Sequence, residues 1–130
     1  MELTGTFVST LAELREFLAH TDKLVIVYFY TEWSPACRRI RFEFMQAELR
    51  NPDAMYLAAN MDKAKAMAAK LDINLDNIPA IVVFKNGRQL YTATLITAQE
   101  FNKMDYSVPE EEVLSVSDVT EVSNLDLQKT

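Results

Sequence analysis

The sequence predicts an α/β domain, a central mixed β-sheet flanked by helices, followed by an acidic C-terminal tail. Three observations carry this reading. Segments of helical spacing alternate with short apolar runs, the order that crossover-linked strands require. One run, Leu24 to Tyr30, is apolar at every position, as in a strand covered on both faces. Asn86-Gly87 separates two further strand-like segments and is the dipeptide of tight hairpins, so an antiparallel strand closes the sheet.

The elements follow in order. A short strand is expected near Thr6 to Val8. Thr10-Leu11-Ala12-Glu13 is a capping box, in which hydroxyl and carboxylate each take an amide that a helix start leaves unpaired. Leu11, Leu14, Phe17 and Leu18 then recur at helical spacing, predicting a helix from Leu11 to Ala19. His20 follows it and suits the helix C-terminus. Leu24 to Thr31 is a strand. Ser34-Pro35 supplies a capping serine and a first-turn proline for a helix that runs to Arg50, where Asn51-Pro52 stops it. Ala54 to Asn60 reads as a strand and the alanine-rich Asp62 to Leu71 as a helix. Ala80 to Lys85 and Arg88 to Thr94 flank the hairpin turn. A second capping box, Thr97-Ala98-Gln99-Glu100, opens a last helix through about Tyr106.

This gives one domain over residues 1–106 and a tail over residues 107–130. The 130 residues suffice for a proper core, and 49% hydrophobic with 25% charged residues is an ordinary globular composition. The net charge is −6, and the tail holds most of it: six acids (Glu110, Glu111, Glu112, Asp118, Glu121, Asp126) against Lys129. An acidic balance speaks against nucleic-acid binding. The longest strong apolar run is too short to cross a membrane. Glycine occurs only at Gly5 and Gly87, which excludes Gly-rich phosphate loops. With one cysteine and one histidine, the usual nitrogen and sulfur ligands of a transition-metal site cannot be gathered from one chain, so neither metal nor other cofactor is expected. No Ser/His/Asp arrangement is recognisable. A lone cysteine and an N-terminus without a basic, apolar leader point to a reducing, cytoplasmic setting. Within the tail Val113, Val116, Val119, Val122 and Leu125 recur every third residue; it is either a free acidic appendage or a segment that docks on the body or on a partner.

Chemistry concentrates at Trp33-Ser34-Pro35-Ala36-Cys37, which leaves the end of a buried strand and enters a helix. Two reactive positions stand two residues apart, the frame of a disulfide-exchange site. The second holds Cys37 and the first holds Ser34. A thiolate is the attacking species in such exchange, and a serine hydroxyl does not ionise enough to replace it.

From about Thr10 to Tyr106 the chain resembles the thioredoxin family. The likeness rests on the strand Leu24 to Tyr30 leading into Trp33-Ser34-Pro35-Ala36-Cys37, where thioredoxins have Trp-Cys-Gly-Pro-Cys. It also rests on Asn77-Ile78-Pro79-Ala80, where the family has a cis-proline facing the active site, and on Val83-Phe84-Lys85-Asn86-Gly87, its strand and hairpin turn. The resemblance implies a thioredoxin fold with a shallow groove for an extended peptide bordered by Trp33, Pro35, Ile78 and Pro79. It also implies departures. The family's attacking cysteine corresponds to Ser34. Its buried acid falls at Tyr28 and the basic neighbour of that acid at about Ala58. The helix-bending proline falls at Phe42, and the glycine after the last strand near Thr94 or Leu95.

Two functional readings stay open. The first is a protein-binding module, chaperone-like or scaffolding, that has lost dithiol chemistry and takes a protein or extended peptide segment at Trp33, Pro35, Ile78 and Pro79. The second is a thiol–disulfide oxidoreductase: Cys37 acts as a monothiol, or Ser34 is a laboratory replacement of cysteine. Such a replacement would account for Ser34 but not for Tyr28 and Ala58. Arg38, Arg39, Arg41 and Arg50 form a basic cluster on the same helix. It reads as a solvated face, as a contact for a phosphate or acidic peptide, or as a seat for the chain's own tail.

Overall fold

Strand β2 (Leu24–Tyr30) is buried at all seven positions and forms the middle of a five-stranded sheet with the order β1-β3-β2-β4-β5. The structure is a computed structural model and describes residues 6–103. The tail, the domain limit at residue 106 and the last turn expected of the final helix lie outside the described residues. The remaining elements are β1 (Thr6–Phe7), α1 (Leu11–Ala19), α2 (Pro35–Arg50), β3 (Ala54–Asn60), α3 (Met61–Lys70), β4 (Ala80–Lys85), β5 (Arg88–Ala93) and α4 (Ala98–Lys103).

Local chemistry sets these boundaries. At α1 the Glu13 amide donates to Thr10 Oγ1 and the Thr10 amide donates to the Glu13 carboxylate, each at 3.1 Å. The same reciprocal pair, Thr97 with Glu100, opens α4. Those bonds hold the Glu13 carboxyl below its usual range, the Ser9 and Thr10 amides being the leading causes. His20 donates from Nδ1 to the Glu16 carbonyl at 2.8 Å, satisfying an acceptor that the end of α1 leaves open. Helix α3 begins one residue earlier than the pattern predicts, because the Asn60 side chain accepts from the Asp62 amide at 2.9 Å and caps it directly off the end of β3.

The sheet is mixed, as expected, with one correction. Strict alternation would make β4 parallel to its neighbours, yet it runs antiparallel to β2. Residues 71–79 carry the chain back to the carboxyl end of β2 before β4 starts, and Ala80 enters opposite Phe29. Strands β1, β3 and β2 are parallel to one another. The β4–β5 hairpin turns at Asn86 (φ 54°) and Gly87 (φ 78°), both left-handed, which suits the twist of the flanking strands. On one face of the sheet an aromatic cluster joins four elements. The Phe44 ring of α2 lies 4.9 Å from Tyr28, 5.4 Å from Tyr56 and 6.1 Å from Phe101. Such offset and edge contacts add to the burial of the rings themselves.

A Cβ added at Gly87 meets nothing within 4 Å, so Gly87→Ala should be limited by backbone conformation and not by a clash. We expect it to destabilise the domain by about 1 kcal/mol, read as a lower urea midpoint at unchanged m-value.

Candidate functional site

The end of β2 and the first turn of α2 build the site. Ser34 is extended (φ −82°, ψ 122°) and its Oγ accepts from the Cys37 amide at 3.3 Å, while its carbonyl accepts from the Arg38 amide at 3.0 Å. Pro35 follows as the first helical residue, where its missing N–H costs nothing. The serine is thus the helix cap, a role that by itself stabilises by about 1 kcal/mol. Arg38 folds back over the turn and donates from Nη1 to the Glu32 carbonyl at 3.0 Å.

Cys37 faces inward, with 1% of its surface exposed and its thiol free. Its carbonyl accepts a 2.7 Å hydrogen bond from the Tyr28 hydroxyl. Tyr28 is itself fully buried, and burial pushes its hydroxyl above the ordinary tyrosine range, with the neighbouring Cys37 adding to the shift. The Tyr30 hydroxyl is raised too, through burial first and then the nearby Glu32. Tyr28 and Ala58 are direct register partners on β2 and β3. The two positions where the resemblance puts an acid and a base therefore do stand side by side, and they hold a neutral tyrosine and a methyl group. Beside them a cleft of ≈ 440 Å³ opens between Tyr30, Glu32, Ala58 and Asn60 and the start of α1.

The other expected site residues divide by exposure. Trp33 is 59% exposed and Pro35 is open to solvent. Ile78 and Pro79 are buried, so what they offer an incoming chain is backbone more than side chain. The Ile78–Pro79 peptide bond is cis. That loop is anchored from both sides. The Asn77 side chain accepts from the Asn74 amide at 2.9 Å. The Leu95 and Ile96 amides donate to the Asn77 and Pro79 carbonyls at 2.9 and 3.1 Å. Leu95, at a position where the resemblance implies glycine, is 61% exposed and sits at φ 52°, a left-handed conformation costly for a side-chain-bearing residue. Phe42, at the place of the helix-bending proline, is 49% exposed within an unbroken α2.

One buried polar residue next to the candidate site escaped the sequence reading. Thr31 is fully buried just before Trp33, and its Oγ1 has no hydrogen-bond partner among the described residues. A threonine at the end of an apolar run reads as an ordinary strand residue, so nothing in the pattern singled it out. No group of three or more His, Cys, Asp or Glu able to hold a metal occurs among the described residues. No helix among them is long and apolar enough to cross a membrane.

The tyrosine contact has a measurable consequence. Tyr28→Phe removes a buried hydrogen bond and should cost about 1 kcal/mol of stability at neutral pH. The folded-state pKa of Tyr28 is raised, so the stability linked to its neutral form is present below the unfolded tyrosine pKa of about 10 and is lost as pH rises beyond it. Urea unfolding on either side of that pH should show a decline that is shallower in Tyr28→Phe. Cys37 gives a second expectation. A maleimide should label it slowly in the native protein and rapidly in denaturant, and fast native labelling would contradict the buried thiol.

Comparisons with known proteins agree with this fold. The family profile described as Thioredoxin matches residues 5–109. The chain is 34% identical over 82 residues to the thioredoxin of Mycoplasma genitalium, covering 63% of this chain and 78% of that protein. It is 33% identical over 85 residues to a peptide-N(4)-(N-acetyl-beta-glucosaminyl)asparagine amidase of Caenorhabditis briggsae, covering 64% of this chain but 14% of the amidase. Among solved structures, the oxidised mitochondrial thioredoxin 3 of Saccharomyces cerevisiae superposes with a TM-score of 0.66 at 20% identity, over 76% of this chain and 91% of the yeast protein. The matched profile covers every strand of the sheet and the segment that follows its central strand: the chain belongs to the thioredoxin family.

Proposed function

We propose that this protein is a redox-silent, protein-binding member of its family. It would receive an extended segment at Trp33, Pro35 and the Ile78–Pro79 backbone, in a scaffolding or chaperone-like role within a reducing, cytoplasmic compartment. One observation carries the reading: the chain's sole thiol is 1% exposed, and the position that should attack holds a serine occupied as a helix cap. Dithiol exchange needs an accessible thiolate to open a disulfide and a second thiol to resolve the mixed disulfide. The Tyr28–Ala58 pair supports the same conclusion, because neither side chain can take up and return a proton at neutral pH. The nearly neutral body favours a protein partner over nucleic acid. The similarity to a small part of an amidase is in keeping with a domain that serves as a module.

The oxidoreductase reading keeps support of its own. A relative sharing 34% identity is named a thioredoxin, and Cys37 holds the place of the family's second cysteine. On that reading Cys37 works as a monothiol with an external thiol to resolve it, or Ser34 stands where the natural protein has cysteine.

An insulin disulfide-reduction assay of this protein beside its Ser34→Cys variant separates the two. We expect no reduction above background by the unmodified protein. Activity confined to the variant would mark a scaffold still shaped for exchange, and inactivity of both would assign the loss to Tyr28 and Ala58 as well. Reduction by the unmodified protein would overturn the proposal.

A further inference from the structure

We propose that the solvent face of α2 is the seat of the chain's own acidic C-terminal segment, centred on Val113 to Leu125. This rests on a different surface from the groove reading and stands or falls without it. Helix α2 buries one stripe: Cys37, Ile40, Phe44 and Ala47. Its opposite side carries a second stripe, Arg38, Phe42, Met45 and Leu49, at the i, i+4, i+7, i+11 spacing that aligns side chains along one helical face. Phe42 is 49% and Leu49 76% exposed, while Met45 between them is half-buried and packs partly against the core. Phe42 and Leu49 thus leave an open apolar strip about two turns long on this helix. Arg39 and Arg50 are exposed on its flank, and α2 carries four arginines against two glutamates.

The occupant follows from charge, pattern and tether. The segment after residue 106 holds six acids and one base, with Val113, Val116, Val119, Val122 and Leu125 spaced through it. It therefore offers negative charge for the excess of arginines and apolar side chains for Phe42 and Leu49. The tether favours this segment over a partner from solution. Helix α4 packs on α2, with Phe101 6.1 Å from Phe44, so the chain leaves Lys103 beside α2. The nine residues 104–112 can reach up to roughly 30 Å, longer than the roughly 24 Å of a 16-residue helix. A tether of that kind holds a weak ligand at an effective concentration on the order of millimolar.

The test uses the full chain. Val119→Cys in a Cys37→Ala background gives one site for a nitroxide spin label, and the methionine methyl groups are observed by NMR. Met45 reports on the α2 face, and Met61 and Met67, buried in α3, serve as references. We expect the Met45 signal to lose at least half its intensity while Met61 and Met67 lose far less. Tenfold dilution should leave that loss unchanged, and molar salt should reduce it. Arg38→Glu with Arg39→Glu, both exposed changes, should return most of the Met45 signal. Equal loss at all three methionines, or none, would overturn the proposal. So would a loss at Met45 that fades on dilution, which would make the occupant a second copy.

Discussion

The hydrogen bond from Tyr28 to the Cys37 carbonyl ties the central strand to the first turn of α2, and the site depends on it. Strand β2 is enclosed on both faces, so any polar atom it carries must find a partner inside the protein or be left unsatisfied at a cost of roughly 1–3 kcal/mol. The Tyr28 hydroxyl finds its partner on the helix, 2.7 Å away. Its ring meanwhile stacks with Tyr30 and leans on Phe44, so the residue that fixes the helix start is also part of the core. A carboxylate could not occupy this position on the same terms. It would either stay charged and demand a countercharge, which Ala58 does not supply, or take up a proton.

That arrangement joins the serine cap to the burial of the thiol. The same turn that lets Ser34 cap the helix presents the Cys37 amide to the serine and leaves the Cys37 thiol facing the core. Under the proposed binding role, recognition falls to the surface around this turn. Trp33 offers a large exposed ring, and the loop before β4 offers backbone held in place by bonds from Asn77, Leu95 and Ile96. On the proposed reading, anchored backbone together with an exposed aromatic suits an extended chain, which brings its own amides and carbonyls.

Much of the fold was legible because local rules and tertiary packing agreed. Both capping boxes closed as their spacing required, the uniformly apolar run became the central strand, and Asn86-Gly87 became the hairpin turn. The reversal of β4 was not legible. Strand direction there is decided by where residues 71–79 deliver the chain, and no periodicity records that path. The site was legible in its residue types and not in their exposure. Sequence marks Ile78 and Pro79 by their place before a strand, but only packing decides that Trp33 stays open while those two are covered. The adjacency of Tyr28 and Ala58 was available only by resemblance, since pairing across two parallel strands leaves no local trace.

Leu95 shows how a departure from the family can itself support the binding reading. A leucine at φ 52° carries a backbone cost of about 1–2 kcal/mol that glycine would not. The conformation persists because the Leu95 and Ile96 amides are committed to the Asn77 and Pro79 carbonyls, which over-determine the turn. What the leucine adds in return is an exposed apolar side chain, 61% open, on the segment hydrogen-bonded to the Ile78–Pro79 loop. Folding alone gives no reason to prefer it there, because an exposed side chain contributes little to the core and the strain works against stability. On the proposed binding role, a partner that covers the open part of this side chain gains burial energy on the order of 1–2 kcal/mol, comparable to the strain that the free protein already bears.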